Sequence, residues 1–220
     1  MFARGIISEG LKPLDCSDSG EHAIVRMHEY NINQLPVTDG EKYIGVVSMN
    51  EVIALKHLND PIKNLEVPLK RPYVHEDAHI FEVMKVAVEY SVKVVPVLTA
   101  DEKYAGLITA ESCMRAFATQ QSIMDDGGIL TLSVALKDFH LSEIARIVED
   151  NNANIVAYFS NIDGATSTVE ITLKLNTQEL SSIVAAFERY EYTVKGVYRD
   201  ETYNEDVRDR YEGFMRYLDV

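Results

Sequence analysis

Apolar positions along the chain follow two periods, helical and alternating, and the way they combine changes once, near residue 120. Asp18-Ser19-Gly20-Glu21 has capping-box spacing, and Ala23, Ile24 and Met27 continue it at helical intervals. Leu35-Pro36-Val37 reads as a short strand, Asp39-Gly40 as a tight hairpin turn, and Tyr43–Val47 as the return strand. Val52, Ile53 and Leu55 begin a second helix, with Asn50 in the capping position. Pro36 lacks an N–H, which predicts that its strand is short or lies at a sheet edge.

The same series then recurs. Glu29-Tyr30-Asn31-Ile32-Asn33-Gln34-Leu35-Pro36-Val37 lies over Glu89-Tyr90-Ser91-Val92-Lys93-Val94-Val95-Pro96-Val97 at an offset of 60 residues. Glu41-Lys42-Tyr43 answers Glu102-Lys103-Tyr104 at 61, and Leu11-Lys12-Pro13 answers Lys70-Arg71-Pro72 at 59. A drift of one residue at a time is the mark of loop insertions in a duplicated unit. In the second copy Asp77 precedes the stripe Ile80, Val83, Met84 and Ala87. Each copy is a βαββα module, the first over residues 1–61 and the second over 62–120.

Polar, turn-rich residues 121–127 form a linker, and a different order follows in 128–202. Leu130, Leu132, Val134 and Leu136 alternate; Ile144, Ile147 and Val148 are helical; Ile155–Phe159 is a strand and Asp163-Gly164 a turn. Val169, Ile171, Leu173 and Leu175 alternate again, Leu180, Ile183, Val184 and Phe187 form a helix, and Tyr192–Tyr198 is a last strand. This βαββαβ order is the ferredoxin-like split arrangement, with both helices on one sheet face. In 203–220, Val207, Tyr211, Phe214 and Leu218 space as a short tail helix that needs a docking surface. The fold class is α+β.

Charge narrows the function. The net charge is −14, distributed as −5 over residues 1–120 and −9 over 121–220, which disfavours binding to nucleic-acid phosphates. No apolar run reaches the length of a membrane helix, and two cysteines make neither a disulfide framework nor a zinc knuckle, so a soluble, cytoplasmic chain is expected. His75 and His79 are four apart but straddle a strand–helix junction, which argues against a metal site. No nucleophile–base order or phosphate loop is visible, so no catalytic residue is assigned and the chain is not expected to be an enzyme.

The two Pro-Val strands, together with Gly45-Val46-Val47-Ser48-Met49-Asn50-Glu51 and Gly106-Leu107-Ile108-Thr109-Ala110-Glu111-Ser112, resemble a tandem pair of CBS domains. The C-terminal order is similar to an ACT domain, and the whole to regulatory proteins of the acetoin-utilisation type. The resemblance implies clefts for an adenosine-containing ligand (AMP, ADP, ATP or S-adenosylmethionine) and no required cofactor. Apolar residues by the short strands, including Pro36 and Pro96, would cover the adenine. Ser48 and Thr109 would face phosphate at helix starts, and Glu51 and Ser112 occupy the ribose-binding position. The family usually has Asp there; Glu51 keeps the charge and Ser112 loses it. Lys70, Arg71 and Arg4, on segments leading into the modules, would be candidate phosphate partners, although surface lysines are mostly just solvated. Ser48 and Thr109 equally suit plain helix caps, worth about 1 kcal/mol each without any ligand.

In the ACT-like part the resemblance puts an effector site at Asp138 and Ser142, although the Pro-Gly that usually follows the Asp is missing, and Asp138 also suits a plain turn. Such domains pair across subunits, which implies a homodimer and leaves room for an unidentified target protein. Two other readings stay open: a scaffolding homodimer with empty clefts, and an amino-acid sensor working through the ACT-like part.

Overall fold

The computed structural model describes residues 1–120 and 123–199. The chain divides into two compact units at Gln120/Gln121. The tail helix expected over 203–220 lies outside the described residues, as do two positions of the 121–127 linker.

The first unit contains the duplication. Its first half runs β1 (Leu14–Asp15), α1 (Gly20–Glu29), β2 (Gln34–Asp39), β3 (Lys42–Ser48) and α2 (Met49–Ile53). The second half runs β4 (Val74–His75), α3 (Ile80–Glu89), β5 (Val94–Leu98), β6 (Tyr104–Thr109) and α4 (Ala110–Gln120). Each half makes a three-stranded sheet, ordered β1-β2-β3 and β4-β5-β6. The helix starts differ from the sequence expectation. Ser19 caps α1 by accepting from the His22 N–H, His79 caps α3, and Ser48 rather than Asn50 caps α2.

The Pro36 strand is central, not at an edge, and the pairing shows why that is tolerated. Pro36 lies opposite Val46, whose N–H points away from β2 to the Lys70 carbonyl. The pair is therefore a non-hydrogen-bonded one, and the missing proline N–H faces the β1 side, one residue ahead of the Leu14–Val37 pairing. Pro96, opposite Leu107 in β5, repeats the arrangement.

The spatial modules also differ from the sequence modules. A 3₁₀ turn at Ala3–Gly5 belongs to the second half: Ala3 N–H donates to the Ala78 carbonyl and Arg4 N–H to Glu76, and Ala3 and Ile6 join the core of Val74, Ile80 and Val97. The matching turn at Ile62–Asn64 belongs to the first half: Ile62 N–H donates to Asp18 and Lys63 N–H to Cys16, and Ile62 packs with Leu14, Met27 and Leu35. The boundary expected between residues 61 and 62 is thus crossed in both directions by exchanged leading segments.

Between the halves, Val46, Val94 and Leu107 are buried against one another. Burial of each is worth about 1.5–3 kcal/mol. The hairpin tips also meet, through Tyr104 N–H to the Glu41 carbonyl and an exposed Lys103–Glu41 ion pair of 2.6 Å. Such a pair contributes about 0–1 kcal/mol, so the apolar seam and the exchanged segments outweigh it in joining the halves.

The second unit runs β7 (Ile129–Ala135), α5 (Leu141–Glu149), β8 (Ile155–Asp163), β9 (Thr168–Leu175), α6 (Ser181–Arg189) and β10 (Thr193–Tyr198), with sheet order β10-β7-β9-β8. Leu130 pairs with Leu173 and Leu132 with Ile171, so these side chains share one sheet face. They form a single core with Ile144 and Ile147 of α5 and Ile183 and Phe187 of α6, so both helices cover that face. This is the βαββαβ order read from the sequence.

Gly45 provides a direct test of the exchange. A Cβ there would lie 2.7 Å from Leu69 Cβ and 2.8 Å from the Lys70 carbonyl oxygen, whereas one at Gly5 meets nothing within 4 Å. Gly45→Ala is expected to destabilise the first unit by about 1–3 kcal/mol, as overpacking does, and Gly5→Ala by much less. Thermal melting of the two variants checks this.

Candidate functional site

The helix starts carry the side chains that the sequence singled out. At α2, Ser48 and Glu51 form a reciprocal capping box. Ser48 Oγ accepts from the Glu51 N–H at 3.3 Å, and Glu51 Oε2 accepts both the Ser48 N–H and the Ser48 hydroxyl at 2.6 Å. Both bonds to the carboxylate use Oε2. A carboxylate has about four acceptor positions, so the capping duty leaves Oε1 available to an incoming donor.

Glu51 stands in the wall between two openings. On one side is a crevice of only 80 Å³, bordered by Gln34, Val46, Ser48, Lys70 and Val92. On the other is a cavity of 590 Å³ between α2 and residues 64–67, lined by Asn50, Ala54, Leu55, Lys56, Leu65 and Val67 among others. Asn50 and Glu51 come from the first turn of α2, and Ala54 and Leu55 from the chain just after its last residue, Ile53. Lys56 reaches across the cavity mouth to Glu66 at 3.0 Å, both being largely exposed.

The cavity has a simple origin in chain length. Leu69 packs over Gly45 in the first half, as Ile7 packs over Gly106 in the second. From the end of its 3₁₀ turn the chain takes five residues to reach Leu69 (Asn64 to Leu69), but two to reach Ile7 (Gly5 to Ile7). The three extra residues bulge outward beside α2 and form a wall of the cavity.

At α4 the corresponding groups are engaged differently. Ser112 N–H donates to Thr109 Oγ1 at 3.1 Å, and the Thr109 and Ser112 hydroxyls are 2.9 Å apart. Ser8, from the N-terminal segment, lies 2.7 Å from the Ser112 hydroxyl and accepts from the Thr109 N–H at 3.3 Å.

The other expected residues are dispersed. Pro36 and Pro96 are buried in β2 and β5 and line neither opening. Arg71 lies over the Tyr43 and Tyr73 rings, 5.7 and 5.8 Å from their centres. Arg4 borders a separate polar pocket with His75, Asp77 and Glu102. Among the described residues no three acidic, histidine or cysteine side chains converge as metal ligands, and no helix is long and apolar enough to cross a membrane. In the second unit Asp138 ends a 3₁₀ turn and Ser142 sits in the first turn of α5, both exposed.

Comparison with known proteins then decides the family. The model for the CBS domain matches residues 3–57 and again 63–119, just over half of the chain. The chain belongs to the CBS domain family. An inosine-5′-monophosphate dehydrogenase of Korarchaeum cryptofilum is 23% identical over 180 residues, which are 80% of this chain and 37% of that protein. The chain thus spans little more than a third of that relative's length. Among solved structures, a CBS domain pair/ACT domain protein of Thermotoga maritima is similar at 18% identity with a TM-score of 0.48, covering 54% of this chain and 98% of that one. CBSX2 of Arabidopsis thaliana, solved in complex with AMP, gives 22% identity and a TM-score of 0.47, covering 54% and 96%.

Within this CBS pair, reading the sequence missed Asn50, Lys56 and Val67 as cavity residues. Their signal is the longer spacing from the 3₁₀ turn to the residue packed over the strand glycine, five residues to Leu69 against two to Ile7, and no local sequence pattern marks it. The expected phosphate partner Lys70 borders the narrow crevice instead.

Tyrosine burial makes the stability of both units depend on alkaline pH. Burial holds Tyr43 and Tyr104 above the ordinary phenol value. Tyr192 is pushed up to about 12 by burial, by its hydrogen bond to Glu143, and by the charges of Glu143 and Asp138. Unfolded tyrosines lose their protons near pH 10. Between about pH 10 and 12 the unfolded chain therefore binds fewer protons than the folded one, and stability falls as pH rises. Urea midpoints measured across that range are expected to decline, and Tyr192→Phe is expected to make the decline of the second unit shallower.

Proposed function

We propose that this chain is a non-catalytic, CBS-pair regulatory protein that senses an adenosine-containing ligand of the AMP, ADP, ATP or S-adenosylmethionine class in its first module. The observation that carries this reading is the 590 Å³ cavity walled by Glu51, since sites for small molecules commonly span about 300–1,000 Å³. Its chemistry suits a nucleoside. Ala54, Leu55, Leu65 and Val67 supply apolar faces for the base, and the Asn50 and Asn64 amides supply hydrogen-bonding edges. Glu51 Oε1 accepts from a ribose hydroxyl while Oε2 stays on the helix cap. Lys56, at the mouth, attracts phosphate or another anionic group once it leaves Glu66.

Regulation then follows by population shift. The ligand favours whichever arrangement of the two modules it binds more tightly, a coupling of about 1–3 kcal/mol in typical cases. The C-terminal unit acts as an ACT-like platform joining two copies. Its strand β8 forms one edge of the sheet among the described residues and carries exposed Val156 and Ile162, the type of edge that pairing with a second copy protects. In this reading Asp138 and Ser142 are a secondary effector position, and an unidentified target protein reads the state of the dimer. The dehydrogenase activity of the longer relative is not carried over.

Thermal melting and calorimetry with AMP, ADP, ATP and S-adenosylmethionine test the proposal. At a ligand concentration 100 times Kd, stabilisation is expected to be about 2.7 kcal/mol, which raises the melting temperature of the first unit by several degrees. Glu51→Ala is expected to weaken binding about tenfold or more, because it removes a charged hydrogen-bond acceptor. Lys56→Ala, at an exposed position, is expected to weaken it two- to fivefold. No response to any of the four ligands leaves the scaffolding role. Stabilisation by an amino acid that survives Glu51→Ala moves sensing to the ACT-like unit.

A further inference from the structure

We infer that the cavity beside α2 selects among adenosyl ligands by charge: it takes S-adenosylmethionine and rejects the phosphorylated nucleotides, with Asp60 and Glu66 setting the preference. The inference rests on the sensing role proposed above and narrows its ligand. Three carboxylates, Glu51, Asp60 and Glu66, and one ammonium, Lys56, line the cavity, a formal balance of −2. A phosphate monoester such as AMP brings a charge of about −2 at neutral pH and is repelled, as the longer phosphate chains of ADP and ATP are. S-adenosylmethionine instead carries a sulfonium and an ammonium against a single carboxylate.

The groups expected to hold phosphate are committed elsewhere. Ser48 N–H and the Ser48 hydroxyl both donate to Glu51 Oε2 at 2.6 Å, so a phosphate at that helix start meets a carboxylate in place of free donors. Lys56 is paired with Glu66 at 3.0 Å. Lys70 borders the narrow crevice, Arg71 lies over two tyrosine rings, and Arg4 borders a separate pocket. The carboxylates, by contrast, can receive a cation. The Asp60 side chain has no hydrogen-bond or ion-pair partner among the described residues. Its backbone is fixed, with its N–H donating to the His57 carbonyl at 2.9 Å and its carbonyl accepting from the Gly20 N–H at 3.1 Å. The sulfonium and ammonium face Asp60 and Glu66, and the ligand carboxylate takes Lys56. Binding thus exchanges the Lys56–Glu66 pair for two new pairs and strands no charge.

Calorimetry on the full chain with S-adenosylmethionine, S-adenosylhomocysteine, AMP and ATP tests this. S-adenosylhomocysteine lacks the sulfonium methyl and with it the positive charge on sulfur. S-adenosylmethionine is expected to bind about threefold more tightly than S-adenosylhomocysteine and at least about tenfold more tightly than ATP, a gap that narrows as salt screens the charges. Asp60→Asn combined with Glu66→Gln is expected to weaken S-adenosylmethionine about fivefold and to strengthen ATP about threefold or more, because the second change also frees Lys56. AMP or ATP binding as tightly as S-adenosylmethionine to the unaltered chain overturns the charge selection and leaves adenosyl sensing standing. An unchanged ratio of the two affinities in a double variant that melts like the unaltered chain does the same. Absence of heat with all four ligands removes the sensing role and this inference with it.

Discussion

The architecture of the first unit depends on one constraint: each half is completed by backbone that precedes the other half in sequence. The 3₁₀ turn at Ala3–Gly5 supplies hydrogen bonds and core to the second sheet, and that at Ile62–Asn64 does the same for the first. Downstream of each turn the chain runs along the open edge of a strand, Leu69-Lys70 along β3 and Ile7-Ser8 along β6. An unpaired strand edge is a liability, and this crossing covers it. It also accounts for glycine at positions 45 and 106, where the passing segment comes close enough to exclude a side chain.

Because the same segments pass beside the starts of α2 and α4, a change in their length alters the clefts without touching either core. The buried strands of the two halves are close equivalents, with Leu35-Pro36-Val37 matching Val95-Pro96-Val97 in pairing and burial. The differences lie in the connecting segments, in the length of α2 (five residues) against α4 (eleven), and in side chains at the helix starts such as Glu51 against Ser112. Interiors pack densely and resist change, whereas surface segments accept insertions at little cost, so divergence after a duplication concentrates there. Chemical differences between the two helix starts thus need no rearrangement of the fold.

The same division explains what the sequence disclosed. Repeat, strands, helices and the C-terminal βαββαβ order were readable because they rest on apolar periodicity, which burial enforces. The position of the Pro36 strand was misjudged because a proline is excluded from a central strand only if its nitrogen faces an occupied ladder position, and register decides that. Exchange of the leading segments was invisible, since contacts between residues such as Ala3 and Ala78 leave no local pattern. Ser48 with Glu51, and Thr109 with Ser112, are singled out by the family resemblance, whereas local spacing alone points to Asn50 as the cap of α2. Ser8 is singled out by neither, because nothing in its own neighbourhood of sequence connects it with a helix start about a hundred residues away.

The departure from the family's usual Asp at position 51 bears on how cap and ligand site coexist. Reciprocal capping calls for Glu or Gln at the third helical position, where the longer side chain can turn back to the capping N–H. Glu51 does so through Oε2 alone. A helix of five residues has little stability of its own, so the cap, worth about 1 kcal/mol, matters more here than on a long helix. In the proposed function, a ribose hydroxyl bonding Oε1 would meet a carboxylate already fixed in place, and little side-chain entropy would be lost on binding. Helix capping and ligand recognition are thus compatible uses of one side chain, and an intact capping box does not by itself argue for an empty cleft.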